Sequence, residues 1–284
     1  MSPIAAPPLV LSIAGFDPTG GAGVLADIKA IAANQAYGVA CVTALTVQNT
    51  QGAQSYQAVE AGLLERQLDT LLADVQPRAV KIGMLANRDL VEVVARQIER
   101  RRFPWVVVDP VLAATSGAQL IDAAGWQYLR ERLLPLTSVL TPNLAEAEAL
   151  TGLPAGKQAE MEAAAVALRG LGPKFVVLTG GHLERPADVL YDGEKVITLA
   201  ADRVKTPNTH GTGCTFSAAL AANLACGRQM TDAVVMAKAY VNAALRQSYA
   251  IGAGPGPLNH LYRLHEAPSS RNVDPAPQAE FTTR

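Results

Sequence analysis

A glycine-rich stretch, Asn208-Thr209-His210-Gly211-Thr212-Gly213-Cys214-Thr215, precedes a run of small residues from Phe216 to Cys226. The pattern predicts an anion-binding loop that leads into a helix, because glycines let backbone N–H groups turn toward one point and the helix start adds further free N–H groups. A thiol in the first helical turn should ionise more easily in the field of the helix dipole, so Cys214 is a candidate base or nucleophile. A buried structural cysteine beside an ordinary loop is the alternative, since short glycine motifs match by chance.

Short apolar runs alternate with longer amphipathic or Ala-rich segments along the rest of the chain, which is typical of βαβ units and a mostly parallel sheet. Strands are expected at Leu9 to Ala14, Val39 to Val47, Ala79 to Ile82, Trp105 to Asp109, Ser138 to Thr141 and Phe175 to Thr179. Helices are expected at Gly23 to Asn34, Leu63 to Val75, Asp89 to Arg101, Gly125 to Leu133, Glu160 to Leu171, Thr215 to Cys226 and Thr231 to Ser248. Asp192-Gly193 between two apolar runs predicts a hairpin, and hence a small antiparallel edge on the sheet.

Composition limits the classes of function. The 284 residues fit one α/β domain over residues 1–265, followed by a polar, Pro-rich tail at 266–284 that is expected to be disordered. The 24 Lys and Arg residues balance 25 Asp and Glu residues, which argues against a nucleic-acid partner or an anionic membrane surface. Three cysteines without CxxC spacing favour a reducing compartment, and the cytoplasm fits. No uninterrupted apolar stretch is long enough to span a bilayer, and the apolar start from Met1 to Ala14 lacks the basic leader of a signal peptide.

Polar residues that follow the predicted strands are the candidates for chemistry, because ligands of parallel sheets bind beyond the carboxyl ends of the strands. The first strand leads into a loop from Gly15 to Gly23, with Asp27 about one helical turn further on. This loop matches neither the dinucleotide fingerprint nor the P-loop, so a Rossmann dehydrogenase is disfavoured. A tight strand-to-helix turn without chemistry is the plain alternative.

The second and third strands end in groups suited to a neutral ring. Gln48 is followed by another amide and a hydroxyl, and a side-chain amide both donates and accepts hydrogen bonds, as the edge of a heterocycle requires. Lys81 and Met84 close the third strand and offer a cation and a thioether that could cover a flat ring. Loop capping for Gln48 and a core position for Met84 are the alternatives.

Oxygen ligands follow two further strands. Asp109 ends one of them, and Asn143 with Glu146 follows the next, a set that suits Mg²⁺ on a nucleotide phosphate. Taken singly, Asp109 could be a turn residue, and Asn143 with Glu146 could be a helix N-cap pair. His182 and His210 lack further ligands at metal-binding spacing and are interpreted as hydrogen-bonded loop histidines.

These motifs, in this order over about Leu9 to His260, resemble the ribokinase-like superfamily and, within it, the hydroxymethylpyrimidine/phosphomethylpyrimidine kinases of thiamine biosynthesis. The resemblance implies a three-layer α/β/α sandwich with a mostly parallel central sheet. It also implies phosphorylation of 4-amino-5-hydroxymethyl-2-methylpyrimidine and its monophosphate with ATP and Mg²⁺, in a cytoplasmic homodimer whose ligands are small molecules.

The resemblance also implies a role for individual residues. Cys214 would be the base, with an anion hole at Gly211, Thr212 and Gly213. The substrate pocket would consist of Gln48, Asp27, Gly15, Met84 and Val111. The nucleotide phosphates would be bound near Asp109, Asn143, Glu146, Thr179 and Thr209, with Mg²⁺ at Asp109 and Glu146, directly or through water.

Two positions depart from the family pattern. Phe16 stands where the family usually has Ser, and Thr179 stands where it usually has a Lys that reaches the ATP phosphates. A missing cation weakens phosphate stabilisation, so a catalytically impaired pyrimidine-binding protein is one rival interpretation. A pyridoxal kinase of the same superfamily is the closest rival, because pyridoxal also carries a hydroxymethyl group on a flat ring. A cysteine hydrolase is disfavoured, because no His and Asn or Asp pair can be assigned beside Cys214.

Overall fold

A computed structural model describes residues 5–114, 117–181, 187–200 and 202–265. Within these residues nine strands form one sheet in the order β3-β2-β1-β4-β5-β6-β7-β8-β9. The strands are β1 Leu9–Phe16, β2 Tyr37–Asn49, β3 Gly52–Ala58, β4 Ala79–Ile82, β5 Trp105–Val108, β6 Val139–Leu140, β7 Phe175–Leu178, β8 Ala187–Tyr191 and β9 Val196–Ala200. The strands from β2 to β7 in this order are parallel, whereas β3 at one edge and β8 and β9 at the other are antiparallel.

Helices connect the parallel strands. They are α1 Gly23–Ala33, α2 Ala61–Asp74, α3 Arg88–Arg101, α4 Ala123–Tyr128, α5 Leu144–Thr151, α6 Gln158–Arg169, α7 Thr212–Ala225, α8 Met230–Arg246 and α9 Tyr262–His265. A π-helical turn at Leu129–Leu133 and a 3₁₀ turn at Leu134–Leu136 continue α4. None of the helices in the described ranges is both long enough and apolar enough to cross a membrane.

Alternate residues of the central strands pack into two separate cores. Val106 and Val108 of β5 belong to the core that α2, α3 and α6 cover, whereas Val107 between them packs against α7 and α8. Because successive side chains of a strand point to opposite faces, this alternation places helices on both sides of the sheet. The predicted three-layer α/β/α sandwich is therefore confirmed.

The strand order reverses around β1, which lies between β2 and β4. A reversal of this kind opens a crevice beyond the carboxyl ends of the strands. The loop from Gly15 to Gly23 begins at this point, and Asp109, Asn143 and Thr179 follow along the same edge because they end or succeed β5, β6 and β7.

Two elements differ from the sequence prediction. The predicted antiparallel edge at Asp192-Gly193 is confirmed, but β3 forms a second antiparallel edge, so Gln48 lies within β2 opposite Ala53 and not in a loop. The helix α5 is absent from the helices predicted above, and only the interpretation of Asn143 and Glu146 as a helix N-cap pair anticipated it. His182 and the tail from Glu266 to Arg284 lie outside the described residues.

Candidate active site

The carboxyl ends of the parallel strands form a continuous row of backbone hydrogen bonds beyond the strands themselves. Asp109 N donates to Ile82 O at 2.9 Å, Thr141 N donates to Val108 O at 2.9 Å, and Thr179 N donates to Pro142 O at 2.9 Å. Residues that stand far apart in the sequence are thereby held side by side at one edge of the sheet.

The glycine-rich loop and the start of α7 lie beside this row of strand ends. Gly211 has a left-handed φ of 79° and precedes α7, which begins at Thr212, three residues earlier than predicted. A side chain at Gly211 would collide with the carbonyl oxygen of Gly21, so the loop after β1 and the glycine-rich loop are in direct contact. A β-carbon at Gly213 would lie 3.9 Å from Asp109 Oδ2, so the first turn of α7 also lies beside this carboxyl. The first amides of a helix have no intrahelical acceptor, and those of Gly213 and Cys214 are available to a ligand.

A fully buried ion pair forms the floor of the site. Lys81 Nζ lies 2.9 Å from Asp27 Oδ1 and 3.0 Å from Oδ2, and Ser12 Oγ donates to the same carboxylate at 2.6 Å. Burial alone would lower the pKa of Lys81, but the negative charge of Asp27 beside it raises the pKa above its usual value. The structure therefore places Asp27, predicted as a substrate-binding residue, beneath the site with no exposed surface.

Cys214 lies in the first turn of α7, close to Lys81 and Asp109, and its thiol accepts a backbone hydrogen bond from Gly23. The expectation that its thiol ionises easily is wrong. Burial raises the pKa of Cys214 to about 12, and the nearby carboxyls of Asp109 and Asp27 contribute to this increase, which Lys81 opposes. The desolvation of the thiolate and the negative charges around it oppose ionisation more strongly than Lys81 favours it, so the thiol is protonated at neutral pH.

A second buried pair consists of two acids, Asp109 and Glu146. Burial raises the pKa of Asp109 above its usual value and that of Glu146 to about 8, and the charge of Asp109 adds to the shift of Glu146. Ser217 Oγ of α7 donates to Asp109 Oδ2 at 3.1 Å. Two carboxyls whose pKa is raised by burial suit a divalent cation, because the cation would supply positive charge beside them, and Mg²⁺ takes few carboxylates because it keeps its waters. Within the described ranges no cluster of three or more His, Cys, Asp or Glu residues is placed to hold a metal.

Asn143 and Thr179 have structural hydrogen bonds in addition to their place in the row. Asn143 Oδ1 accepts from Glu146 N at 3.0 Å, and Glu146 Oε2 accepts from Asn143 N at 2.9 Å, which is the capping box of α5. Thr179 pairs with Asn143 across the row, and its hydroxyl donates to Pro142 O at 3.3 Å. The N-cap interpretation of Asn143 and Glu146 is thus confirmed, and it leaves one carboxyl oxygen of Glu146 free of the cap.

The backbone directly after Thr179, the position at which the family carries Lys, contacts an acid that is itself paired with a lysine. Gly180 N donates to Asp188 Oδ1 at 3.0 Å, and Asp188 Oδ2 binds Lys238 of α8. The Lys238–Asp188 pair fixes the backbone after Thr179. It does not restore a free ammonium group at Thr179.

Four of the residues predicted to form the substrate pocket have defined contacts at this end of the sheet. Gly15 and Met84 are in contact, since a β-carbon at Gly15 would lie 2.9 Å from Met84 Sδ. Val111 follows Asp109, and its N–H donates to Asp109 O at 2.8 Å. Gln48 Nε2 lies 3.3 Å from His210 Nε2.

His210 connects the two loops. Its Nε2 lies 2.7 Å from Asp17 Oδ2, and its backbone N–H donates to Gly256 O at 3.2 Å. A β-carbon at Gly21 would lie 2.3 Å from the imidazole Cδ2, so only glycine fits against the ring. The interpretation of His210 as a hydrogen-bonded loop histidine is confirmed. Thr209 is exposed at the outer side of the same loop.

Comparisons with known proteins identify the family of the chain. The family model described as phosphomethylpyrimidine kinase matches residues 17–259, which include Asp17, Asp109, Glu146 and Cys214. The chain belongs to the phosphomethylpyrimidine kinase family. A relative from Synechococcus elongatus, named hydroxymethylpyrimidine/phosphomethylpyrimidine kinase, is 43% identical over 260 residues, which make up 90% of this chain and 98% of the relative.

Solved structures of related kinases share the fold. The ADP complex of Bacillus subtilis pyridoxal kinase has a TM-score of 0.83 and 36% identity, and the match covers 90% of this chain and 99% of that one. Phosphomethylpyrimidine kinase from Clostridium difficile 630 has a TM-score of 0.75 and 33% identity, covering 84% of this chain and 99% of that one. The predicted ribokinase-like fold is confirmed by these matches.

The contacts between the loop from Gly15 to Gly23 and the glycine-rich loop were not predicted from the sequence of this phosphomethylpyrimidine kinase family member. Asp17 accepts hydrogen bonds from the backbone N–H groups of Thr19 and Ala22 as well as from His210. The local sequence sign of these contacts was an acid, Asp17, among the glycines of the loop from Gly15 to Gly23. His210 was tested only against metal-binding spacing, which does not detect a histidine bound to a carboxylate 193 residues away.

Proposed function

We propose that this protein transfers the γ-phosphoryl group of ATP to the hydroxymethyl group of 4-amino-5-hydroxymethyl-2-methylpyrimidine, and then phosphorylates the monophosphate to the diphosphate. The observation that carries the proposal is the convergence of Cys214, Asp109 and the first turn of α7 at one end of the sheet. The family to which the chain belongs favours the same substrates.

The phosphates are proposed to bind at the glycine-rich loop and along the row from Asp109 to Thr179. The amides of Gly211 to Gly213 and the start of α7 stabilise negative charge at the transferring group. Thr209, Asn143 and Thr179 are proposed to line the outer part of this path, because Thr209 is exposed in the glycine-rich loop and Asn143 pairs with Thr179. Phosphoryl transfer requires mainly positioning and charge neutralisation, and both functions are available here.

Asp109 and Glu146 are the residues proposed to hold Mg²⁺, directly or through water. A bound Mg²⁺ would neutralise charge on the phosphates. Asp109 is held by Ser217, and Glu146 by the capping box, so both carboxyl groups have fixed positions before any ligand binds.

Cys214 is proposed to lie at the reacting hydroxyl group. Because its thiol is protonated at neutral pH, it orients the hydroxymethyl oxygen through a hydrogen bond and does not act as a free thiolate. As the bond between this oxygen and the γ-phosphorus forms and the bond from the γ-phosphorus to ADP breaks, the hydroxyl proton passes to an oxygen of the transferring phosphoryl group and then to water. Gln48 is proposed to bind the edge of the pyrimidine, while Gly15, Met84 and Val111 form the apolar wall. Asp27 supports the wall indirectly through Lys81.

The test is ADP release by the purified protein with Mg-ATP and each of three acceptors: the hydroxymethylpyrimidine, its monophosphate and pyridoxal. The proposal expects turnover with the first two. Folded protein that binds the pyrimidine but releases no ADP would identify a pyrimidine-binding protein and would refute the proposed activity.

Pyridoxal is the second candidate acceptor, because the structure of Bacillus subtilis pyridoxal kinase has a TM-score of 0.83. Competition between pyridoxal and the pyrimidine separates the two functions. A higher kcat/KM for pyridoxal would reassign the substrate without changing the reaction.

We also infer a cytoplasmic homodimer. Leu45 and Val47 of β2 are more than half exposed beside the edge strand β3, and burial of such side chains between two copies is favourable. Light scattering after gel filtration measures the mass, and a monomer at micromolar concentration would contradict the dimer.

A further inference from the structure

The carboxylate of Asp17 determines where the proton of His210 lies. Asp17 accepts from Thr19 N at 2.8 Å, Thr19 Oγ1 at 2.9 Å and Ala22 N at 2.9 Å, and its Oδ2 lies 2.7 Å from His210 Nε2. Burial would raise the pKa of this carboxyl, but the hydrogen bonds from His210 and Thr19 lower it below its usual value. An ionised carboxylate only accepts hydrogen bonds, so Nε2 of His210 carries the proton.

This proton constrains the amide of Gln48. Gln48 Nε2 lies 3.3 Å from His210 Nε2, and two N–H donors cannot satisfy each other. The oxygen and nitrogen of a side-chain amide are nearly equal in shape, so the hydrogen-bond network decides their assignment. With Nε2–H shared between Asp17 and Gln48, the amide oxygen faces His210 and the amide NH₂ group is left for another partner.

The imidazole itself is fixed in place. Its ring packs against Gly21, where a β-carbon would come within 2.3 Å, and the backbone of His210 is paired with Gly256 and Pro257. The neighbouring turn at Gly211 is in contact with the carbonyl of Gly21. His210 therefore has little freedom to follow a rotation of Gln48.

We propose that His210, held by Asp17, is a positioning residue that fixes the amide orientation of Gln48, so that Gln48 offers its NH₂ group to a ring nitrogen of the heteroaromatic substrate. This inference rests on the proposed function. It adds that the substrate must present a hydrogen-bond acceptor at this edge, and that recognition depends on a residue that need not touch the substrate.

The test compares His210→Phe, His210→Gln, Gln48→Ala and the double variant His210→Phe with Gln48→Ala. His210→Phe keeps a flat ring but removes the N–H group, and we expect it to raise KM for the hydroxymethylpyrimidine about 5- to 100-fold, the range for a lost buried hydrogen bond, with kcat changed less than about threefold. His210→Gln retains a donor and should restore part of the affinity. The double variant should bind no more weakly than Gln48→Ala, because both changes remove one interaction.

Asn49→Ala is the matched control, because this neighbouring amide is exposed and only accepts from Gln51 N within the hairpin. Its KM should equal that of the wild type. Additive losses in the double variant, or an unchanged KM in His210→Phe, would overturn the inference. If His210→Phe does not fold by circular dichroism, Asp17→Asn replaces it, and an unchanged KM in that variant would overturn the inference equally.

Failure of the proposed function is a separate result. It would appear as no ADP release by the wild type with the pyrimidine, and calorimetric binding of the same pyrimidine then replaces KM as the readout for all variants. No difference in binding between the wild type and His210→Phe would overturn the inference in that case.

Discussion

Replacing Glu146 by glutamine should stabilise the protein at neutral pH in the absence of metal ions. The carboxyl of Glu146 has a pKa of about 8 in the folded protein, raised by burial and by Asp109, against an ordinary value of 4.5. The folded state therefore keeps a proton that the unfolded state releases, so the free energy of unfolding falls as the pH rises from 4.5 to 8. At pH 7 this difference costs the wild type at most about 3 kcal/mol.

The glutamine side chain keeps the shape of glutamate and can still complete the capping box of α5, but it carries no ionisable group. We expect Glu146→Gln to melt about 5 °C above the wild type at about pH 7.5 in EDTA, and the two melting temperatures to converge below about pH 5. The pH dependence of the melting temperature, measured by circular dichroism, separates this titration from a general packing effect.

Metal binding should narrow the difference in stability between the wild type and Glu146→Gln. At about ten times its Kd, Mg²⁺ stabilises a protein by about 1.4 kcal/mol, and Glu146→Gln lacks one of the two carboxylates proposed to hold it. Glu148→Gln is the control, since Glu148 lies on α5 with an exposed carboxyl that accepts only from Ala155 N. A Glu146→Gln variant that is less stable than the wild type at neutral pH in EDTA, or one that Mg²⁺ stabilises fully, would refute the reasoning.

Three further outcomes are expected. Cys214→Ala should lower kcat for ADP release by about 5- to 100-fold, the range for a lost hydrogen bond, with Cys214→Ser retaining more activity because it keeps a hydrogen-bonding group; an alanine variant of normal kcat would make Cys214 a packing residue. Thr179→Lys should lower KM for ATP about tenfold by adding a charged donor, whereas Thr179→Met should not, and equal KM values for both would contradict a phosphate site there. Removal of residues 266–284 should change the melting temperature by less than about 2 °C and kcat by less than about twofold, and a large loss of either would show that the tail is part of the fold.

The sequence predicted the fold wherever one physical signal dominated. Fully buried parallel strands are continuous apolar runs, and β5 was predicted at Trp105 to Asp109 and is observed at Trp105–Val108. The strand β3 was missed because Gly52-Ala53-Gln54-Ser55 lacks both alternation and β-branched residues, and its pairing with β2 supplies the stabilisation instead. The helix α5 has only eight residues, and its periodicity is too short to distinguish it from a loop.

The site was only partly predictable, because electrostatics depend on neighbours that are distant in sequence. The helix dipole at Cys214 was visible in the local pattern, whereas Asp27 and Asp109, which raise its pKa, lie 187 and 105 positions away. The contact between Asp17 and His210 has the same origin, since it follows from the packing of Gly21 against the second loop.

The buried charges of the site require one another. Asp27, Asp109 and Glu146 supply three carboxyls, and Lys81 is the ammonium group buried among them in the described part of the chain. Lys81 forms its close contacts with Asp27, and burial raises the pKa of both Asp109 and Glu146. Because Lys81 is paired with Asp27, the two acids at the strand ends have no ion pair of their own among the described residues, and the preference for a cation lies at the end of the sheet where the phosphates are proposed to bind.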